Sequence, residues 1–119
     1  MITQATSRQV EPDITVVTIT GRLNLGNTLM SLENDLRKQI QNGARKIAFD
    51  LSGLDYIDSA GIGMLVGIFG QAEQAGGHAR IAGAKGSVAH AFSVVHMERI
   101  MPLDEDLDGS TRHLAAYNS

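Results

Sequence analysis

Residues 55–64 read DYIDSAGIGM, and the reactive groups of that stretch are the carboxyl of Asp58 and the hydroxyl of Ser59. A serine placed directly after an acid, among small residues and ahead of an apolar periodic run, suits four roles. It can be a nucleophile, a helix cap, part of a nucleotide-binding loop, or the acceptor of a phosphoryl group. Asp58 fits a helix N-cap, where its carboxylate accepts an orphan backbone N–H. Ser59 then opens the helix beside free amides and the positive end of the dipole, which favour a phosphate. The plain alternative is a serine that only caps or solvates the turn, and the local residues leave both readings open.

Other chemistries fit less well. GIGMLVG has the spacing G-x-G-x-x-x-G and lies inside the helix, not in the turn that opens it, and no GK[ST] follows a Gly-rich loop. A hydrolase elbow needs G-x-S-x-G, whereas Ser59 stands in I-D-S-A-G. His78, His90, His96 and His113 show neither H-E-x-x-H nor carboxylate clustering, and there is no cysteine. No metal centre or cofactor is therefore expected. Asp50 and Asp58 are single acids around a loop, not an acid–base pair. Nothing points to an enzyme.

The elements that must carry Ser59 follow from periodicity. DITVVTITG (13–21) is β-branched and reads as a strand, with Ile14 and Val16 on one face and Val17 and Ile19 on the other. A strand apolar on both faces belongs in the centre of a sheet covered twice. The first ten residues read as a weaker edge strand, turning at Glu11-Pro12-Asp13. Leu29, Leu32, Leu36 and Ile40 recur at helical spacing after a cap at Asn27 and before Asn42-Gly43. RKIAFDLS is a strand with Ile47, Phe49 and Leu51 on one face. A helix from Asp58 to about Gln74 ends at Gly76-Gly77. HARIAG (78–83) is a strand, 87–97 a helix, Arg99-Ile100-Met101 a last strand before Pro102, and about 104–117 a terminal helix. Such alternation implies α/β layering around one sheet, with residues 1–119 forming a single domain.

Within the helix after Asp58, a spacing of about 100° per residue puts Ile62, Leu65, Val66, Phe69 and Ala72 on one core stripe. A second stripe holds Ser59, Gly63, Gly67, Gly70 and Gln74. Helical glycine costs about 0.5–1 kcal/mol relative to alanine, so close packing within the chain or close approach by a partner backbone must account for it. Met64 and Ile68 point away from the core stripe on this phase and are expected at the surface.

The bulk numbers argue against a nucleic-acid binder. In 119 residues, 43% are apolar and 19% charged, with net charge −3, so no basic patch is available to displace phosphate counterions. No run approaches the about 18 apolar residues of a membrane span, and no export signal is visible. A cytoplasmic location without membrane insertion is expected.

GRLNLGNT after a strand, IAFDLSGLDYIDSAGIGMLVG, and GGHARIAGAKGSVAHAFSVV together resemble the STAS domain of bacterial anti-sigma-factor antagonists. The resemblance covers about residues 8 to 102, and D-L-S followed by the D-S-A-G-I-G block is its specific part. It implies an α/β fold with a mixed sheet of about four to five strands and about four helices. It also implies that Ser59 is the phosphoacceptor. The unphosphorylated form would bind an anti-sigma factor that is also a serine kinase of GHKL type, and so free the sigma factor. Phosphorylation would break that complex, and a PP2C-type phosphatase would restore it. The expected docking surface is Asn24, Asp58, Ser59, Ala60, Gly61, Gly63, Met64, Gly67 and Ile68, with room for a homo-oligomer. The family usually carries an acid in G-x-L-D, where this chain has Gly21-Arg22-Leu23-Asn24, which keeps the shape and loses the charge. The position after Ser59, often Ser or Thr, is Ala60, leaving one hydroxyl at the turn. The alternative within the same fold is an unmodified adaptor in a signalling assembly or beside a transporter.

Overall fold

The β-branched run at the start of the chain sets the sheet. In the computed structural model, which describes residues 3–117, strand β2 (Ile14–Leu23) is its longest member and pairs with three others. Strand β1 (Gln4–Val10) returns antiparallel along it as a polar edge. Strand β3 (Lys46–Asp50) pairs parallel with the first half of β2, and β4 (Leu54–Ile57) with the second half after a register shift at Gly21/Arg22. Strands β5 (His78–Ala82) and β6 (Leu103–Asp104) extend the sheet in the order β1-β2-β3-β5-β6. The sheet is mixed, as expected, and has six strands.

Two strand assignments are corrected. The sequence pattern runs from β3 directly into the helix and does not mark β4, in which only Leu54 and Ile57 are buried. Arg99-Ile100-Met101 is not a strand: a 3-10 turn occupies Met97–Arg99, with Met97 and Met101 in the core. The strand begins only beyond Pro102, whose carbonyl accepts from the Ile81 amide at 3.0 Å. Proline, lacking a donor, suits the entry to an edge strand.

Helices α1 (Asn27–Gln41), α2 (Ser59–Gln74) and α3 (Gly86–Val94) cover one face. Their apolar stripes meet Val17, Ile19, Phe49 and Ile81 there. Helix α1 buries Leu29, Leu32, Leu36 and Ile40, as its spacing requires, but Gly26 caps it, and Asn27 is already helical. Helix α4 (Leu107–Ala115) alone covers the other face, where Leu114 packs with Ile14, Val16 and Ala48. Ile14, Val16, Val17 and Ile19 are all fully buried, so β2 is covered twice.

A polar lock holds α4 to the sheet edge. Arg80 on β5 grips Asp104 on β6 with two hydrogen bonds, at 2.7 and 2.9 Å. The buried Ser110 hydroxyl of α4 donates to the same carboxylate at 2.6 Å, and His113 lies 3.3 Å from it. The Arg80 hydrogen bonds hold Asp104 below its ordinary value of 3.8, overcoming the opposing effect of burial. A carboxylate with a lowered folded pKa stabilises the fold above its unfolded pKa and loses that contribution as pH falls through the folded value. Asp104→Asn is therefore expected to cost about 1–3 kcal/mol near neutrality. That deficit should shrink as pH falls below about 4, where the unfolded chain protonates first, and on through the lower folded pKa of Asp104. Urea melts of the two proteins at neutral and acid pH check both statements.

Candidate functional site

The start of α2 is built by one carboxylate. Asp58 has extended backbone, and one of its oxygens accepts from the Gly61 amide at 2.9 Å, capping the helix. The other accepts from the Leu25 amide at 3.0 Å, in the loop after β2. The Asp58 amide in turn donates to the Leu23 carbonyl at 3.2 Å. One side chain thus fixes both the entry of α2 and the loop that carries Asn24. The N-cap expected at Asp58 is present, with a second function that its position in the sequence did not reveal.

Gly61 is where a small residue is required. A Cβ there would come within 2.8 Å of the Leu23 carbonyl oxygen and 2.7 Å of the Ile57 side chain. This close approach lets α2 begin against the end of β2. Ser59 is the first residue of the helix and exposed, Ala60 and Asn24 are half-buried, and Asp58 lies between them. Five of the expected site residues, Asn24, Asp58, Ser59, Ala60 and Gly61, are therefore brought to one place.

Met64 and Ile68 are not part of a surface. They are 2% and 0% exposed, and α2 buries Gly61, Met64, Leu65, Ile68 and Ala72. Phe69, expected in the core, is half-buried with its ring edge-on to His78 at 5.8 Å. The helix is apolar on nearly every side, so periodicity alone does not determine its phase. The docking residues expected at Met64 and Ile68 are corrected to core.

Gly63 is exposed, and neither Gly63 nor Gly70 has any atom within 4 Å of the place a Cβ would take. At Gly67 the neighbour is the mobile end of a side chain, the Arg37 guanidinium at 3.2 Å. Arg37 joins α1 to α2, donating to Gln71 at 2.8 Å and Glu33 at 2.9 Å. Packing within the chain therefore explains Gly61 and touches Gly67, but leaves Gly63 and Gly70 open.

The exposed apolar groups at this end are elsewhere. Leu25 is 73% exposed on the loop that Asp58 holds, and Met30, one turn into α1, is 55% exposed. Arg22 stacks over the Tyr56 ring at 4.1 Å on the neighbouring strands β2 and β4. The sequence carried a signal for both apolar residues. Leu25 is a large apolar residue between Asn24 and Gly26, and Met30 is out of phase with the α1 stripe.

The double role of Asp58 yields a clean substitution. Asparagine has one carbonyl oxygen and cannot accept from both amides through separate oxygens. Asp58→Asn should keep the local Gly61 cap and lose the Leu25 bond, costing about 1 kcal/mol. Amide exchange followed by NMR is expected to show faster exchange at Leu25 and little change at Gly61. Equal protection at both amides in the variant contradicts the shared-carboxylate account.

Among the described residues no group of three His, Asp or Glu stands close enough to hold a metal ion, and no helix is long and apolar enough to cross a membrane.

Comparison with known proteins matches this architecture. The STAS domain family matches residues 5–110. BtrV of Bordetella bronchiseptica, which carries the name of an anti-sigma factor antagonist, is 30% identical over 88 residues, covering 74% of this chain and 75% of its own. The crystal structure of an anti-sigma factor antagonist from Mycobacterium paratuberculosis superposes with a TM-score of 0.82 at 15% identity, over 96% of this chain and 95% of the other. The Bacillus cell fate determinant SpoIIAA in its phosphorylated form gives 0.74 at 17% identity, over 92% and 98%. With β2, β4 and the capped start of α2 arranged as described, and the family match running nearly end to end, the chain belongs to the STAS domain family, among the anti-sigma factor antagonists.

Proposed function

We propose that the chain works by partner switching, with Ser59 as the phosphoacceptor. In this reading the unphosphorylated protein binds an anti-sigma factor that is also a serine kinase of GHKL type, and the sigma factor is released. Transfer of a phosphoryl group to Ser59 ends the complex, and a PP2C-type phosphatase resets it. The chain itself supplies a surface and an acceptor, not catalysis. The observation that carries this is the exposed Ser59 hydroxyl at the first position of α2, beside a loop held by Asp58. That SpoIIAA, of the same fold, has been solved phosphorylated supports the reading.

The physics is local. A phosphoryl group adds about −1.5 to −2 charges to a surface that a partner must otherwise desolvate. In the free chain the α2 N-terminus compensates part of it, by up to about 2 kcal/mol. The same group stands next to the Asp58 carboxylate and competes with it for the amides of that turn. Leu25 and Met30 take the docking role first expected of Met64 and Ile68. Asn24, lacking the charge of the family's usual acid, adds no repulsion toward the incoming phosphate.

The test is intact-mass analysis after pull-down from the native cell, with peptide mapping of any phosphoryl group. The expected result is a kinase-type partner on the unmodified chain, and a single phosphoryl group on Ser59 in the unbound fraction. A phosphoryl group mapped to another residue, or a stable partner complex with Ser59 phosphorylated, overturns the proposal.

A further inference from the structure

Four of the seven large apolar side chains exposed among the described residues lie between Val94 and Leu103. They are Val94, which is 65% exposed, Val95, Ile100 and Leu103. Leu103 lines a cavity of about 330 Å³ between α3, β5 and β6, walled also by Ile81, Ala89 and Phe92. Val94 and Val95 directly follow the lining residue Ser93 in the chain, and Ile100 stands two residues after the lining residue Glu98. The same lining carries Glu98, Asp104 and Glu105 and no lysine or arginine. Asp104 is neutralised by Arg80. Glu98 has His96 at 3.9 Å, a cation only when protonated. Arg99, exposed on the 3-10 turn, does not line the cavity.

We propose that this cavity and its apolar rim dock a short amphipathic segment of a partner protein, apolar on one side and bearing lysine or arginine on the other. Apolar side chains gathered in one place mark interaction surfaces, whereas scattered ones do not. The two glutamates supply the selection: they attract a basic segment and repel an acidic one. A small molecule would fill the cavity and leave Val94 and Ile100 in water, so a longer occupant accounts for more of the exposed surface. Addition of a strand does not account for it, because β6 has two residues and offers almost no ladder. A second copy of this chain, with net charge −3, is a poor match for a cavity lined by Glu98 and Glu105. None of the cavity or rim residues belongs to the Ser59 site, so the inference does not rest on the function proposed above.

The probe is a synthetic peptide repeating Leu-Lys-Lys-Leu, titrated into the full chain and followed by methyl NMR. The expected shifts are confined to Val94, Val95, Ile100 and Leu103, and a Leu-Glu-Glu-Leu peptide leaves them in place. The double variant Glu98→Lys with Glu105→Lys should weaken the lysine peptide by about tenfold or more and admit the glutamate peptide. Both positions are exposed, and a urea melt of the variant confirms that its fold is retained. Ser59→Asp should bind the lysine peptide as wild type does. Absence of binding, shifts centred on Leu25 and Met30, or equal binding of both peptides overturns the proposal. So does broadening of the same methyls with protein concentration alone, which would assign the face to a second copy.

Discussion

Met64→Ala combined with Ile68→Ala is expected to remove about 4–8 kcal/mol of folding stability, because each deletion leaves a cavity costing about 2–5 kcal/mol. Both side chains are buried in the main core, one turn apart on α2. Their costs need not add, since neighbours share a cavity and relax together. Against a total stability of about 5–15 kcal/mol, the double variant is at the margin of folding. A urea melt reads this directly. Had these residues formed a docking face, the same pair would have cost under about 1 kcal/mol. Leu25→Ala, at a position 73% exposed, is the matching surface control and should leave the melt almost unmoved.

If the proposed switch operates, Ser59→Asp weakens binding to the proposed kinase-type anti-sigma partner by several-hundred-fold, corresponding to about 3–4 kcal/mol. The substituted carboxylate would sit at the first position of α2, adjacent to Asp58. In free protein the helix terminus and water solvate it, whereas a partner docked over position 59 would have to strip that water from a charge. Ser59→Ala should keep the affinity and abolish labelling. Calorimetry with the cognate kinase measures both, and equal affinities for wild type and Ser59→Asp contradict the proposed switch. Stability of either variant should change little, because position 59 is exposed and Asp58, not Ser59, makes the cap.

Much of the fold was legible because the sequence repeats its signals. The two-sided apolar run of β2 and the leucine spacing of α1 each state burial several times over, so single exceptions do not alter the reading. The capped start of α2 was legible for a different reason, since an acid, a small residue and an apolar run form a local grammar. The phase of α2 was not, because a helix that is apolar almost all round offers no polar face to orient it. Strand β4 was missed because four residues carry only two core positions, Leu54 and Ile57. The second bond of Asp58, to the Leu25 amide, joins residues 33 positions apart, which no local pattern records.

That separation has a kinetic consequence. Leu25 and Asp58 lie 33 positions apart and meet through the parallel pairing of β2 with β4. Parallel pairing across a helix is non-local, and chain-closure entropy must be overcome before the contact forms. Helix α2 and its Gly61 cap, by contrast, need only neighbouring residues. A chain still folding can therefore present Ser59 on a nascent helix before the Leu25 loop is seated. A partner that contacted both elements at once would therefore bind only the chain in which Asp58 holds the Leu25 loop and caps α2 together.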